Sequence, residues 1–514
     1  MKARSLSIAL AVATLAPAIA GCGGGGGSSS ADLAGFAPPG AALYIQGEVR
    51  PTGSLKVNVD SIAKRVAGID NLGDFLVSKL EKSARESGEP VDFAKEIEPW
   101  LGQRAAIFFT VEGVDNEEAD FVIESTDPQA TQAFVDAQAK SSRHPYQDAS
   151  YKGVAFKVGG KDDNAVGVVD GSLVQADTER QFQQIVDASS GESLADQERF
   201  KTAFSATKEG SLADAYVDIG GLIKRSKTEI TQNNVSIFKS LGIDLTDATA
   251  VASLVPGSDQ VEIDLSSDLF KGGSANADTT ELLGSLPSGA FAALAVSDLG
   301  KQLEETIDRF DAAGIPPNVP PHRLKEALKA KGIDLEQIAS SVEDAAVFGV
   351  GSDRAGLGGA LVMTTENATR ATNTVANIGL MLRTFGVPGV AALSGPASGF
   401  SIRSPGLGSK PLVIAAEGDN ITIGYGLPAT LSHASQTLSD SADYRAAVAS
   451  LGDTPISGFV DGSAALELAE ALASPSETGF QKAKRYLQNI RFIAMGSGSE
   501  GDRATAKLIV GLTK

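Results

Sequence analysis

The residues that could bind a metal or act as acid–base catalysts are scattered through the chain. There is one cysteine, Cys22, so a metal site built from several thiolates is excluded. The three histidines, His144, His322 and His433, lie in unrelated local settings without the spacing of a helical zinc motif, and are interpreted as surface residues. The 64 Asp and Glu residues are too abundant for any acidic pair to stand out. The sequence therefore predicts no cofactor, no metal site and no catalytic residue.

Two short motifs match catalytic sites but lack the elements that those sites need. Ser61-Ile62-Ala63-Lys64 has the nucleophile spacing of penicillin-recognising enzymes, but the accompanying Ser-Asp-Asn and Lys-Thr-Gly elements do not occur. Residues 496–501 match the G-x-G-x-x-G pattern of a dinucleotide loop, which requires a helix to follow. Only 13 residues remain, and they alternate like a strand. The first motif is interpreted as the start of an amphipathic helix and the second as a hairpin turn.

Asp218 and Asp461 each follow an apolar strand-like segment. An aspartate at the end of a strand is typical of a turn or a helix cap, because its carboxylate accepts hydrogen bonds from free backbone amides. A cap is therefore expected at both positions rather than a catalytic group.

Cys22 has the clearest chemistry. A short basic start precedes an apolar run over residues 6–20, which is typical of a secretory signal and too short for a permanent membrane span. Ile19-Ala20-Gly21-Cys22 resembles the lipobox of bacterial prolipoproteins, in which the signal is cut before the cysteine and the sulfur carries a diacylglycerol. The resemblance implies cleavage after Gly21 and lipidation of Cys22. The alternative is cleavage at an ordinary small-residue site, which would release a soluble protein.

Composition indicates an acidic globular protein on a flexible tether. The net charge is −20, and it becomes −22 when Lys2 and Arg4 leave with the signal. This charge predicts repulsion from nucleic acid and from anionic lipid headgroups. Residues 23–30 are five glycines and three serines, which form a flexible coil. We therefore expect a chain anchored through Cys22 at the extracytoplasmic face of the cell membrane.

Several landmarks occur twice in the same order. Residues 193–196 (Ser-Leu-Ala-Asp) return as 437–440 (Thr-Leu-Ser-Asp), and both have the capping-box pattern of a helix start. Residues 216–218 (Tyr-Val-Asp) return as 459–461 (Phe-Val-Asp) at nearly the same spacing. A period this long indicates duplication of a domain rather than a solenoid repeat.

Runs of strand-like segments, among them residues 41–48 as the first strand and residues 151–158 further on, are interrupted by a few helices. They predict an α+β fold of two homologous domains, each a mainly antiparallel sheet with packed helices. The predicted segments are the signal peptide 1–21, the lipidated cysteine and tether 22–36, the first domain 37–270, a linker 271–284 and the second domain 285–514.

The lipobox, the tether, the Pro-Pro-Gly-Ala segment at 38–41 and the repeated landmarks together resemble a family of uncharacterised bacterial exported proteins. That family has no assigned catalytic residues, so the resemblance implies none here.

The leading hypothesis is a membrane-anchored envelope lipoprotein that binds a small ligand or an envelope protein without catalysis. An envelope hydrolase using paired carboxylates is the alternative, and it predicts a cleft with two facing acids and a raised pKa. A passive structural spacer is the third hypothesis, and it predicts neither a cleft nor an exposed apolar patch.

Overall fold

The structure is a computed structural model that describes most of the chain beyond the tether. The described residues are 33–87, 91–110, 119–142, 144–159, 164–225, 245–269, 278–314, 320–330, 334–394, 398–426, 436–473 and 478–513. They divide into two compact units, residues 33–269 and 278–513. The predicted signal peptide, Cys22, the glycine–serine segment 23–30 and residues 270–277 lie outside the described residues.

The ten described strands of the first unit form an antiparallel sheet. They are β1 (Ala41–Glu48), β2 (Leu101–Thr110), β3 (Asp120–Ser125), β4 (Tyr146–Tyr151), β5 (Val154–Gly159), β6 (Asn164–Val169), β7 (Ser172–Ala176), β8 (Ala213–Asp218), β9 (Thr249–Pro256) and β10 (Gln260–Ser267). Their order across the sheet is β4-β5-β6-β7-β3-β2-β1-β8-β9-β10. The first strand, expected over residues 41–48, has the predicted bounds and lies between β2 and β8.

Helices cover both faces of this sheet. They are α1 (Gly53–Ala67), α2 (Leu72–Ser87), α3 (Phe93–Glu96), α4 (Pro128–Ser141), α5 (Glu179–Ser190), α6 (Glu198–Phe204) and α7 (Ile219–Arg225). On one face, Phe182 of α5 and Phe200 of α6 join Tyr44 and Tyr216 of the sheet in a buried cluster. The Phe200 ring meets Tyr44 and Tyr216 edge-on, with centroids 5.7 and 5.0 Å apart, a favoured aromatic geometry.

The strands of the second unit are likewise antiparallel. They are β11 (Ala290–Val296), β12 (Ala345–Val350), β13 (Gly358–Thr364), β14 (Val390–Ala392), β15 (Ser398–Ile402), β16 (Leu412–Glu417), β17 (Asn420–Tyr425), β18 (Ile456–Asp461), β19 (Ile490–Glu500) and β20 (Arg503–Leu512). Their order is β14-β15-β16-β17-β13-β12-β11-β18-β19-β20. Each strand therefore has the same neighbours as the strand ten places earlier has in the first unit.

The helices of the second unit lie on both faces of its sheet. They are α8 (Thr280–Gly284), α9 (Leu299–Ala313), α10 (Leu324–Lys329), α11 (Leu335–Ala339), α12 (Ala368–Thr384), α13 (Ala442–Leu451), α14 (Gly462–Leu472) and α15 (Thr478–Leu487). On one face, α8 and α13 pack around a core in which Leu283 and Tyr444 lie on Phe459 and Ala293. The Tyr444 hydroxyl donates to the Thr280 carbonyl at 3.0 Å, and burial raises the pKa of Tyr444 to about 12.

Both predicted capping boxes are confirmed. The Asp196 carboxylate accepts from the Ser193 amide at 2.9 Å, and the Asp440 carboxylate accepts from the Thr437 amide at the same distance. Each box begins a single 3-10 turn that leads into α6 or α13. These hydrogen bonds satisfy backbone amides that would otherwise have no partner at the start of the helix. The local sequence therefore sets where these helices start.

Two predicted elements have different bounds in the structure. Residues 151–158, expected as one strand, contain the turn of the β4–β5 hairpin, where Lys152 and Gly153 take φ values of 47° and 88°. A lysine seldom adopts that conformation, so the residue types at this position do not indicate a turn. The helix expected over residues 61–64 is the middle of the longer α1, which is closed by Gly68 in a left-handed conformation.

Both units are thus α+β with antiparallel strands and packed helices, which confirms this part of the predicted fold class, while the homology of the two units stays a prediction. Among the helices of the described ranges, none combines the length and the apolar character that crossing a membrane requires.

Candidate functional site

The most exposed apolar surface of the second sheet lies on β11, β12 and β13. Along β11 the side chains alternate, so that Ala293 and Ala295 point into the core while Leu294 and Val296 point to the other face. Leu294 pairs with Val347 across β11 and β12, and Val347 pairs with Leu361 of β13. Leu294 is 48% exposed and Val347 is 46% exposed. We call these four outward side chains, Leu294, Val296, Val347 and Leu361, the apolar strip.

Glycine shapes one border of the apolar strip. Gly458 of β18 pairs with Leu294 on one side and with Met495 of β19 on the other. A Cβ at Gly458 would lie 2.5 Å from Met495 Cε and 2.7 Å from Leu294 Cδ2, so these two side chains meet above the glycine. The apolar surface therefore continues from the strip across β18 to Met495.

Helix α12 borders the other side of the apolar strip. Ala371 and Val375 of α12 pack in one cluster with Ile421 of β17, and Ile423 of the same strand packs against this cluster. Ile423 pairs with Leu361, so α12 covers the same face of the sheet one strand beyond the strip. Helices α9, α10 and α11 make their main described contacts with one another. The strip is therefore a shallow apolar floor bounded by a helix.

The first unit covers the surface that occupies the same place in its own strand order. Trp100, Ile97 and Leu80, which belong to or adjoin α2 and α3, pack on Ala105 of β2 and Ile123 of β3. Trp100 is only 1% exposed, and its indole N–H donates to the Glu96 carbonyl at 2.7 Å. The sheet face that carries an aromatic core in the first unit is exposed in the second at Leu294, Val296 and Val347, while Ala345 on the same face is buried.

β11, β12 and β13 contain no charged residue in their described sequences, so the apolar strip offers no acid, base or nucleophile. A surface of aliphatic side chains binds by removing apolar area from water, and it selects for ligands that need no hydrogen bond at that place. The arrangement suits binding of an apolar group rather than a reaction.

An acidic cavity of about 600 Å³ lies among α9, α10 and α11. Its carboxylates include Asp308 and Glu336, both of which pair with the Lys325 ammonium. These hydrogen bonds raise the pKa of Lys325, and a hydrogen bond from Lys329 lowers the pKa of Asp334. A carboxylate hydrolase needs an acid whose pKa is raised, so the charge pairing in this cavity does not favour that alternative.

A raised carboxyl pKa does occur at Glu48, which lies on β1 and does not line the acidic cavity. Burial raises the pKa of Glu48, the Arg104 guanidinium opposes this, and the Glu124 carboxylate adds to it. Arg104 donates to Glu124 through its backbone amide at 3.0 Å and through its guanidinium at 2.7 Å. Arg104 of β2 and Glu124 of β3 form a structural ion pair, and the partly buried carboxyl of Glu48 lies beside it.

The two strand-end aspartates are helix caps, as predicted. Asp218 accepts from the Gly221 amide at 2.8 Å and pairs with Arg199 at the same distance. Asp461 accepts from the Ala464 amide at 2.9 Å and from the Ser463 hydroxyl at 2.7 Å. In both units the carboxylate is committed to the helix that follows its strand.

The Ser61 and Lys64 side chains are not paired as a catalytic couple. The Ser61 hydroxyl donates to the Ser258 carbonyl at 2.7 Å, while Lys64 forms an ion pair with Asp70 at 2.9 Å. That ion pair raises the pKa of Lys64, which is opposite to the shift that a lysine base requires. The helical interpretation of this motif is confirmed.

The glycine-rich segment at 496–501 is not a dinucleotide loop. Gly496 to Glu500 belong to β19, and the chain turns at Gly501 with a φ of 58°. The hairpin is confirmed, but its turn is shorter than predicted because β19 and β20 keep pairing as far as Glu500 and Arg503.

His144 and His322 are both exposed, while His433 and Cys22 lie outside the described residues. In the part of the chain that the structure describes, no group of three His, Cys, Asp or Glu side chains is placed to hold a metal ion.

Sequence reasoning missed the apolar strip. The only signal was the uninterrupted apolar run of β11, Ala-Phe-Ala-Ala-Leu-Ala-Val, which is typical of a strand buried on both faces. In the structure one of those faces is open.

The fold and this surface define a class of protein: α+β, with antiparallel sheets, packed helices and an exposed apolar strip. The chain belongs to the DUF3352 family of proteins of unknown function, whose model matches residues 26–387. The unknown function of this family agrees with the resemblance to an uncharacterised family, while export and lipidation stay predictions. None of the curated proteins compared with the chain matches it.

The solved structures that resemble the chain include crystal forms of the Treponema protein TP0453. Form I is 14% identical, covers 49% of this chain and 84% of its own, and has a TM-score of 0.26. Form III is 14% identical, covers 50% of this chain and 87% of its own, and has a TM-score of 0.27.

Proposed function

We propose that the chain is a bacterial envelope lipoprotein, anchored through an acylated Cys22 at the extracytoplasmic face of the membrane, and that it binds an apolar ligand without catalysis. The apolar strip is the observation that carries the binding proposal. Leu294, Val296 and Val347 are each between 43 and 48% exposed on a sheet face without charge. Each would add about 1 kcal/mol on full burial by a ligand.

The proposed ligand is an acyl chain of a membrane lipid. Adjacent strands lie about 4.8 Å apart, so the surface from β19 through β18, β11 and β12 to β13 is about 19 Å wide. One leaflet of a bilayer's hydrocarbon core is about 15 Å thick, so an extended acyl chain fits this width. The proposed anchor on Cys22 would keep the protein where such chains are abundant.

We further propose that the two units arose by duplication and then took different roles. Their identical strand order, and the paired capping boxes at Ser193 and Thr437, support a common origin. In the first unit Trp100 and its neighbours close the sheet face, which favours stability. In the second unit Leu294, Val296 and Val347 of the same strands are exposed, which favours binding.

The anchor is tested on the native protein. Mass spectrometry of the peptide that contains Cys22 is expected to find an amino-terminal cysteine carrying a diacylglycerol, and Cys22→Ser is expected to release the protein from membranes. An unmodified thiol on secreted protein would contradict the anchor without bearing on the apolar strip.

Ligand binding is tested with cis-parinaric acid, a fatty acid whose fluorescence increases on apolar surfaces. Val347→Glu and Leu294→Glu are expected to weaken binding at least tenfold, because each places a charge where the chain would lie. Val57→Glu is the control, since Val57 is 65% exposed on α1 of the first unit. Equal binding by all three variants and the unmodified chain would reject the strip as the site.

A further inference from the structure

The acidic residues of the chain are unevenly distributed, and one long segment has none. Between Glu366 and Glu417 there is no Asp or Glu, whereas the average density would place about six there. The same segment contains four basic residues, Arg370, Arg383, Arg403 and Lys410. A chain with a net charge of −20 therefore carries one segment with a positive charge.

This acid-free segment forms a packed part of the second unit. It contains α12 and the strands β14, β15 and β16. Val375 of α12 is buried with Phe400 of β15 and Ile414 of β16. Because the inner side of α12 is fixed in this core, the outer side of the helix and its end are held in place relative to the sheet.

The carboxyl-terminal end of α12 exposes large apolar side chains. Leu380 is 65% exposed and Phe385, directly after the helix, is 64% exposed, with Met381 between them also exposed. Exposed aliphatic and aromatic side chains of this size seldom cluster on a protein surface without a partner. We call Leu380, Met381 and Phe385 the apolar tip.

Cations lie beside the apolar tip. Arg383 is exposed in the last turn of α12. Arg403, also exposed, is held next to the turn that follows Phe385, because its backbone amide donates to the Gly389 carbonyl at 3.1 Å. A third cation, Lys410, donates to the Leu357 carbonyl at 2.6 Å, and the turn that contains Leu357 adds Asp353 and Arg354, one charge of each sign.

We propose that the apolar tip docks on an anionic lipid surface, with Leu380, Met381 and Phe385 entering the headgroup region and Arg383 and Arg403 contacting lipid phosphates. Surface-bound helix faces combine apolar side chains with Lys and Arg, since anionic lipids attract cations and repel carboxylates. Charge complementarity with a lipid surface explains why acids are missing from the whole segment, including the parts that are exposed. The overall charge predicts repulsion from such lipids, and the acid-free segment is where the sign of the charge reverses.

This proposal goes beyond the binding of an acyl chain by the apolar strip, and it does not require acylation of Cys22. The test therefore uses the chain from residue 22 with Cys22→Ser, which removes the proposed anchor. Flotation is measured with vesicles of phosphatidylcholine alone and with vesicles that contain phosphatidylglycerol in equal part. Binding is expected to the mixed vesicles, to weaken with added salt, and to be at least tenfold weaker on phosphatidylcholine.

Two sets of variants separate the apolar and the charged contributions. Leu380→Ser with Phe385→Ser is expected to lower partitioning at least tenfold, and Arg383→Glu is expected to lower it roughly fivefold or more on mixed vesicles only. The controls are Val57→Ser, at a side chain as exposed as Leu380, and Lys208→Glu, at an exposed cation of the first unit. Both controls are expected to bind like the unmodified chain.

Equal losses in the control variants, or unchanged binding of the Leu380→Ser, Phe385→Ser chain, would overturn the proposal. Sedimentation velocity tests the competing occupant. If the chain forms a dimer that Phe385→Ser dissociates, and vesicles do not bind, then the tip is an interface between copies and the lipid proposal is wrong.

Discussion

Leu294 and Met495 meet above Gly458, in the space that a side chain at this position would fill. Because the atoms concerned are the ends of flexible side chains, Gly458→Ala is expected to change the free energy of unfolding by less than about 2 kcal/mol. The methyl group would nevertheless displace the Leu294 side chain within the apolar strip, so parinaric acid binding is expected to weaken. Gly479→Ala is the control, since a Cβ there would meet no atom within 4 Å. Equal effects of the two substitutions on binding would argue against the strip.

Asp461 caps α14, so Asp461→Ala is expected to lower the free energy of unfolding by about 1 kcal/mol. The physical reason is that the Ala464 amide loses its acceptor. Urea unfolding monitored by circular dichroism measures the change, and Asp461→Asn, which keeps an acceptor oxygen, is expected to restore most of the loss. If Asp461→Ala abolished ligand binding while leaving stability intact, the carboxylate would have a role other than capping.

Ile97 is fully buried beside Trp100, the only tryptophan of the chain. Ile97→Ala is expected to destabilise the first unit by about 2–5 kcal/mol, through lost apolar burial and the cavity that remains. Trp100 emission follows this unfolding directly, because its indole is buried in the same cluster. The exposed Val57→Ala should shift the same transition by less than about 0.5 kcal/mol.

Burial raises the pKa of Glu48 above its ordinary value of 4.5, so the folded state binds a proton more readily than the unfolded chain does. This group therefore favours folding below pH 4.5, and its contribution is lost as the pH rises through the folded pKa. Glu48→Gln is expected to raise Tm at pH 7 and to leave it nearly unchanged at acidic pH. Calorimetric scans across that range measure the difference.

Glu124→Gln is expected to change the stability at pH 7 in the opposite direction to Glu48→Gln. Glu124 accepts three hydrogen bonds from Arg104, so the substitution is expected to lower the stability at pH 7 by about 1–3 kcal/mol. If both substitutions lowered Tm at pH 7, the carboxylate of Glu48 would be stabilising the fold and the stated sign would be wrong.

Features that depend on neighbouring residues could be predicted from the sequence. The bounds of β1, the two capping boxes and the caps at Asp218 and Asp461 all follow from short patterns whose hydrogen bonds are local. The β4–β5 hairpin was missed because Lys152 occupies a left-handed conformation that its residue type does not suggest.

The apolar strip could not be predicted for a different reason. An apolar strand such as β11 indicates burial on both faces, and only distant packing decides whether a helix covers the second face. Trp100 and α3 provide that cover on β2 and β3, whereas α9, α10 and α11 associate mainly with one another. The apolar tip had a sequence signal, the missing carboxylates, but its exposure depends on how α12 packs.

The position of β1 between β2 and β8 has a consequence for biosynthesis. Leu43 of β1 pairs with Val217 of β8, and Ala293 of β11 pairs with Phe459 of β18. In each unit the second neighbour of the first strand is therefore synthesised long after the first strand itself. Closing such long loops is entropically unfavourable, so high contact order makes folding slow. During translation one edge of the first strand therefore stays unpaired, and the nascent chain is open to wrong partners until the eighth strand is made.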